Sequence, residues 1–159
     1  MIQTHLRDAL ALCQRIPQDA IALLARISIA SVFWLSGQTK VQGFVLNPLS
    51  GEFHLGWPRL SDSVVDLFRD EYRLPLIDPA LAAVMAATAE HVFPLLLLAG
   101  LATRLSALAL LGMTAVIQLL VYPGAWPTHG TWAAVLLMLV ARGAGRWSVD
   151  GWLGRHRPV

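Results

Sequence analysis

Residues 80–101 read ALAAVMAATAEHVFPLLLLAGL, and this stretch decides the fold class. A helix of about 20 mostly apolar residues is long enough to cross the hydrocarbon core of a bilayer. Similar apolar blocks occupy residues 20–37 and 105–122, and a shorter one occupies residues 131–141. The shortest block reaches a spanning length only when it includes the preceding GAWPTHG, residues 124–130. The sequence therefore predicts an all-α integral membrane protein built as a four-helix bundle.

The blocks define one transmembrane domain, expected at residues 20–153, between a cytoplasmic N-terminal segment 1–19 and a C-terminal tail 154–159. The first apolar block follows a polar stretch, and no small-residue cleavage site comes after it, so we expect a retained helix rather than a cleaved signal. The helices are predicted at about 20–40, 80–101, 105–122 and 128–144, with a loop at 41–79.

Composition supports a membrane class and excludes several others. Of the 159 residues 56% are hydrophobic and only 14% are charged, whereas a soluble domain carries about a quarter charged residues. The formal net charge of +2 is too small to indicate nucleic-acid binding. The single cysteine, Cys13, excludes an intramolecular disulfide or a CxxC pair, and no His or Cys spacing typical of a metal site occurs.

The long first loop contains LSDSVVDLFRDEYRLP, residues 60–75. Its apolar residues cluster toward one side of a helix that Ser61 or Ser63 could cap and that Pro75 would end. We expect a short amphipathic helix in this first extracytoplasmic loop, lying at the membrane interface or over the mouth of the bundle. An ordinary loop helix is the open alternative.

The distribution of arginine and lysine predicts the orientation. Arginines flank the apolar blocks in the N-terminal tail, at Arg104 between the second and third blocks, and in the C-terminal tail. Counted from Lys40, the first loop has four basic residues but six acidic ones. The positive-inside rule then places both termini in the cytoplasm.

Two charged residues lie inside the apolar blocks, and such residues require an explanation because burying a charge in lipid is costly. Arg26 and Glu90 are expected to face the bundle interior and to pair, either directly or through one polar group. The alternative is that Arg26 extends to the headgroups and Glu90 is protonated. Helical spacing places Gly37 and Lys40 on the same face as Arg26, so a neighbouring helix could approach closely at the small residue.

The third block has a polar stripe, because Thr114, Gln118 and Tyr122 recur every four residues. Hydrogen bonding between helices and ligand binding are both open for this stripe. His91 is interpreted as a core or interface residue rather than a ligand. His129 is expected in the connection PGAWPTHG between the third and fourth blocks, where no spacing typical of a metal site accompanies it.

Three segments in order resemble the DoxX family of membrane proteins. LLARISIASVFWLSGQTKVQGF is similar to the first helix of that family, with Arg26, Gly37 and Lys40 at the matching positions. ATAEHVFPLLLLAGLATRLSALALLGM is similar to the second and third helices, with the buried glutamate at Glu90. The other matching residues are interpreted as structural and are Gly100, Arg104, Gly145, Ser148 and Asp150, the last three from GAGRWSVDGWL.

The resemblance implies a four-helix bundle in a bacterial inner membrane and a redox or metal-stress context. The leading hypothesis is a membrane subunit with no intrinsic cofactor that binds a quinone or another small apolar ligand around a polar core. That core comprises Arg26, Gly37, Lys40, Glu90, Gln118 and Tyr122. The alternatives are a non-catalytic scaffold for a partner enzyme and a component of an oligomeric small-molecule or metal transporter. The expected partners are the lipid bilayer and either a protein partner or a second copy of the chain, and not nucleic acid.

Overall fold

The computed structural model describes residues 15–48 and 50–155. The interpretation of Cys13 and of the outermost tail arginines therefore lies outside the described residues. Helix α1, Gln18–Gln38, and helix α3, Pro79–Ala99, pack along each other and form the largest helix–helix contact of the bundle.

Local sequence fixes both ends of α3. The Asp78 side chain accepts hydrogen bonds from the N–H groups of Ala80 and Leu81, and Pro79 occupies the first turn, where its missing N–H costs nothing. Gly100 ends the helix in the left-handed conformation with φ of 68°. A two-residue turn then leads directly into the next helix, so the two helices form an antiparallel hairpin.

Helix α4, Thr103–Val116, continues as a π-helical turn, Ile117–Val121, and a short 3₁₀ turn at Pro123–Ala125 follows. Helix α5 is Trp126–Arg142 and a final short helix, α6, is Val149–Arg155. Most of the segment expected to connect the last two apolar blocks is therefore the first part of α5, and His129 is in that helix rather than in a loop.

A β-hairpin is the main departure from the all-α prediction. Strand β1, Val41–Asn47, pairs antiparallel with β2, Glu52–Leu60. A bulge at Gly43, whose φ is 79°, interrupts the register. Trp34 donates to the Leu46 carbonyl at 2.7 Å, and the Leu46 N–H donates to Gln38 at 2.7 Å, so the hairpin is attached to α1 through both backbone groups of one residue.

The loop also contains a short helix, α2, Asp62–Asp66, which continues as a π-helical turn, Leu67–Tyr72. Val64 and Phe68 are buried against the first turns of α3. Ser61 precedes α2 but its hydroxyl does not cap it; it accepts from Gln42 and contacts the Ser63 hydroxyl instead.

The core of the bundle is apolar and contains contributions from four helices. Within the described residues, three helices are long and hydrophobic enough to cross a membrane: Gln18–Gln38, Pro79–Ala99 and Thr103–Val121. Their outward faces carry many exposed leucine, isoleucine and valine side chains, which lipid would cover. The chain is thus a multi-pass membrane protein. The buried core residues are Ala25, Ile29, Ala30, Phe33, Leu97, Ala107, Leu110, Leu136 and Leu139.

Candidate functional site

A buried ion pair is the centre of the candidate site. Lys40 Nζ lies 2.7 Å from Glu90 Oε2, and the two side chains are 6% and 4% exposed. Ser36 completes the group, because its hydroxyl donates to Glu90 Oε1 at 3.1 Å and accepts from Lys40 Nζ at 3.1 Å. Lys40 also donates to the Ser36 carbonyl at 3.3 Å. Each charge is therefore paired and hydrogen-bonded within the protein.

The predicted pairing of Arg26 with Glu90 is wrong. Arg26 is buried, at 1% exposure, but donates to the carbonyls of Leu97 and Leu98 at 3.3 Å and of Trp147 at 2.6 Å. The physical reason is the offset between antiparallel α1 and α3. Glu90 lies at the level of the C-terminal end of α1, next to Lys40. Arg26 lies at the level of the C-terminal end of α3, about two helical turns along α3 from Glu90.

Small residues let α1 and α3 approach closely beside the ion pair. A Cβ atom added to Gly37 would lie 3.0 Å from Glu90 Cβ and 2.9 Å from the His91 ring, so this position requires glycine. His91 lies next to the pair but faces away from it. Its Nδ1–H donates to the Ala87 carbonyl at 2.7 Å, which leaves Nε2 to accept from Gln38 at 2.9 Å. His91 is therefore an interface residue that links α3 to α1.

The polar stripe on α4 has three different roles. Thr114 donates to the Leu110 carbonyl within its own helix. Gln118 donates to the Pro123 carbonyl at 2.6 Å, so its Oε1 accepts from His129 Nδ1 at 2.8 Å. Tyr122 donates to Glu71 of the loop helix. Gln118 thus orients His129 toward the site, and Tyr122 connects α4 to the loop.

An apolar cavity of about 350 Å³ opens beside the ion pair. Ser36, Lys40 and Glu90 line one part of it, and His129 lines another. Phe33, Phe68, Met113 and Trp132 are among its apolar walls, and the loop helix closes one side with Phe68 and Tyr72. The cavity therefore combines a few polar groups with a mainly hydrophobic lining, which is the usual composition of a small-molecule pocket.

Two tyrosines border the cavity where the loop meets α4. The rings of Tyr72 and Tyr122 are 5.8 Å apart and nearly perpendicular. Burial, together with the negative charge of Glu90, raises the pKa of Tyr72 above its ordinary value. The hydrogen bond to Glu71 is the main cause that raises the pKa of Tyr122. Both hydroxyls therefore keep their protons at neutral pH.

Arg26 belongs to a second group at the other end of the bundle. The Leu97 and Leu98 carbonyls that it contacts are in the last turn of α3, where a cation is favoured. Gly100 lies so close that an added Cβ would collide with Arg26 Nη1 and with Ser148 Cβ. Asp150 accepts the N–H groups of Ala102 and Thr103, each at 2.9 Å, and so caps the start of α4.

The remaining motif residues hold the C-terminal segment against this end. The Ser148 hydroxyl accepts the Gly151 N–H at 3.0 Å and caps α6. Gly145 has φ of 77° and packs against Asp19, which accepts the Arg146 N–H at 2.7 Å. Helix α5 ends at Arg142 with Gly143 as its C-cap, whereas the sequence predicted an end at about residue 144. Arg104 donates to the Ala141 carbonyl at 3.4 Å.

The structure thus separates the predicted site residues into two groups. Lys40, Glu90 and Tyr122 line the cavity. Gly37 packs against Glu90, and Gln118 contacts the cavity residue His129, whereas Arg26 does not contribute. Sequence reasoning missed Ser36 and Tyr72 and assigned no site role to His129. The i, i+4 spacing of Ser36 and Lys40 is a signal that could have identified the serine. The described residues bring together no group of His, Cys, Asp and Glu that could hold a metal ion.

Comparison with characterised proteins and with solved structures gave no match. A family model does match: the DoxX model covers residues 21–123, which include Lys40, Glu90, Gly100 and Tyr122. The closing Gly145, Ser148 and Asp150 lie beyond the matched range, so their similarity to the family rests on the motif alone. Because the match extends over more than half of the sequence, this chain belongs to the DoxX family.

Proposed function

We propose that this chain is a bacterial inner-membrane subunit of a redox or stress system and that its cavity binds a small, mainly apolar ligand with carbonyl or hydroxyl oxygens. A quinone is the leading candidate. The observation that carries the proposal is the Lys40–Glu90 ion pair, which is buried and yet lines an apolar cavity.

A purely structural role would not need this pair. Replacing a buried ion pair by apolar residues is often neutral or stabilising, so the pair is a poor device for stability alone. Ionisable groups inside membrane segments commonly mark ligand or proton pathways. Because Lys40 and Glu90 lie at the cavity wall rather than fully enclosed by helices, a ligand can exchange hydrogen bonds with Ser36 and the pair.

The other polar groups fit an oxygen-bearing ring. His129 donates through Nδ1 to Gln118, so its Nε2 is the nitrogen left to accept a hydroxyl proton, as from a quinol. Tyr72, which keeps its proton, can donate to a carbonyl. The cavity of about 350 Å³ is within the range of about 300–1,000 Å³ typical of small-molecule sites.

The proposed topology has four membrane-spanning helices, with both termini in the cytoplasm. Helix α5 has 17 residues, a length of about 25 Å, which is short of the usual span. The segment after α5 supports a fourth span, because it lies beside the first half of α1. There the Arg146 N–H donates to Asp19, and the Trp147 carbonyl accepts from Arg26. Arg104 and Arg142 are at the same end, as the positive-inside rule requires.

A titration with a short-tailed benzoquinone tests the ligand. Trp132 lines the cavity, so binding should quench its fluorescence saturably, and Trp132→Phe should remove that component. The double variant Lys40→Met/Glu90→Gln should weaken binding at least about tenfold, the loss expected when one charge-assisted hydrogen bond is removed. The control Arg69→Gln/Asp66→Asn removes an exposed pair with the same 2.7 Å separation and should bind normally. Saturable quenching that is equal in all variants would reject the site.

A scaffold role is the second candidate, favoured by the hairpin. Phe53, Leu55 and Trp57 alternate along β2, and Leu55 and Trp57 are 80% and 83% exposed. Alternate residues of a strand share one face. This apolar face could dock a partner enzyme. Replacing the three residues by serine should then abolish co-purification of that enzyme and leave quinone binding intact.

A further inference from the structure

A second cavity of about 490 Å³ lies at the opposite end of the bundle from the ion pair. It is bounded by the first turn of α4 and by the segment that follows α5. Arg104, Arg142 and Arg146 line it, and all three side chains are exposed. Its chemistry is therefore different from that of the apolar cavity near Glu90.

The three arginines keep their charges available. Within residues 15–48 and 50–155, no carboxylate forms a salt bridge with any of them. The two acids of the cavity are already occupied by backbone donors, Asp19 by the Arg146 N–H and Asp150 by the N–H groups that begin α4. The cavity thus presents an excess of positive charge and guanidinium donors.

Two backbone N–H donors lie in the first turn of α4, which forms part of the cavity wall. In the described part of the chain, the N–H groups of Arg104 and Leu105 have no acceptor, because Asp150 caps only the two preceding residues. Thr103 belongs to the same wall, but its hydroxyl is enclosed by protein and does not reach the cavity surface. Free N–H groups at a helix start combined with arginines are suited to a phosphate group.

The residues around the cavity are of the kinds found where lipid headgroups meet acyl chains. Leu105 also lines it and is 70% exposed, so apolar surface is continuous with the charged cavity. Trp147 and Trp152 are exposed at the same end. Tryptophans concentrate at the level where headgroups meet acyl chains. A ligand suited to both parts of the cavity would therefore carry a phosphate for the arginines and a hydrocarbon chain for Leu105.

We propose that this arginine cavity binds the phosphate of an anionic phospholipid, with an acyl chain along Leu105. The bound lipid connects the α3–α4 turn to the segment after α5. This site is independent of the quinone cavity, because the two share no lining residue.

Native mass spectrometry of the full chain in detergent, titrated with dioleoyl phosphatidylglycerol, tests the proposal. Dioleoyl phosphatidylethanolamine is the neutral comparison. Near an anionic membrane each arginine contributes about fivefold in affinity. The triple variant Arg104→Gln/Arg142→Gln/Arg146→Gln should therefore bind phosphatidylglycerol at least about 25-fold more weakly, the loss that two such arginines would give. If that variant folds poorly, Arg142→Gln/Arg146→Gln keeps the Arg104–Ala141 contact and should still bind phosphatidylglycerol at least about fivefold more weakly, the loss that one such arginine would give.

A charge-matched control separates a site from general attraction. Arg59→Gln/Arg69→Gln/Arg73→Gln removes the same charge from the other end and should keep wild-type binding. An equal loss in both triple variants would overturn the proposal. Equal binding of the two lipids, or displacement of phosphatidylglycerol by sodium phosphate at millimolar concentration, would also overturn it, the latter by indicating a site for free phosphate.

Discussion

Removing one partner of the Lys40–Glu90 pair should destabilise the protein far more than removing one partner of an exposed pair. At 2.7 Å and an effective dielectric constant near 20, the attraction is about 6 kcal/mol. Desolvation offsets much of this, but a single substitution leaves one charge buried without its partner. The expected cost of Lys40→Met or Glu90→Gln is therefore about 3–5 kcal/mol.

The double variant distinguishes a paired charge from a packing effect. Lys40→Met/Glu90→Gln leaves no buried charge, and the glutamine amide can still bond the Ser36 hydroxyl. Its loss should be smaller than the sum of the two single losses by about 1–3 kcal/mol. An additive double variant would mean that the two side chains act separately.

The chain provides a control with the same geometry in water. Arg69 and Asp66 are also 2.7 Å apart, but their side chains are 58% and 64% exposed. Asp66→Asn should cost less than about 1 kcal/mol. Unfolding in dodecyl sulfate, followed by circular dichroism at fixed pH, measures all variants. Similar losses in Asp66→Asn and Glu90→Gln would refute the claim that the Glu90 pair is buried and coupled.

Three further predictions concern other positions. Gly100→Ala should lower the free energy of unfolding by more than about 2 kcal/mol, because φ is 68° and the added methyl group collides with Arg26 and Ser148. Gly112→Ala is the control: this glycine lies in open space within a helix, so the change should raise the free energy of unfolding by up to about 1 kcal/mol. Asp150→Ala should cost about 1–2 kcal/mol through the lost cap, measured by the same unfolding assay. In an ultraviolet titration Tyr122 should ionise at a higher pH than an ordinary tyrosine, and Glu71→Gln should lower its pKa. The stability that the Tyr122–Glu71 hydrogen bond contributes is present below pH 10 and is lost as the pH rises through the raised pKa.

The faces of the helices could be predicted from the sequence, because helical periodicity is local. Arg26, Gly37 and Lys40 were expected on one face, and all three are buried there. The same spacing does not give the axial offset between two helices. Because of that offset, Glu90 forms an ion pair with Lys40, and Arg26 donates hydrogen bonds to carbonyls at the end of α3.

The β-hairpin was not predicted for a related reason. Strand β2 contains Gly56 and Pro58, residues that are unusual within strands. Its position depends on contacts far from the turn, such as those of Trp34 and Gln38 with Leu46. The role of Asp150 likewise depends on tertiary structure, since the helix that it caps begins at Thr103, far earlier in the sequence.

An experimental density map of the protein in lipid nanodiscs, with and without the short-tailed benzoquinone, would show directly whether the ion pair forms a quinone site. We expect Lys40 and Glu90 to stay paired, and added quinone to produce a flat density between them, His129 and Trp132. A map in which Glu90 instead contacts Arg26, or in which the cavity is filled by protein side chains in both samples, would contradict this expectation.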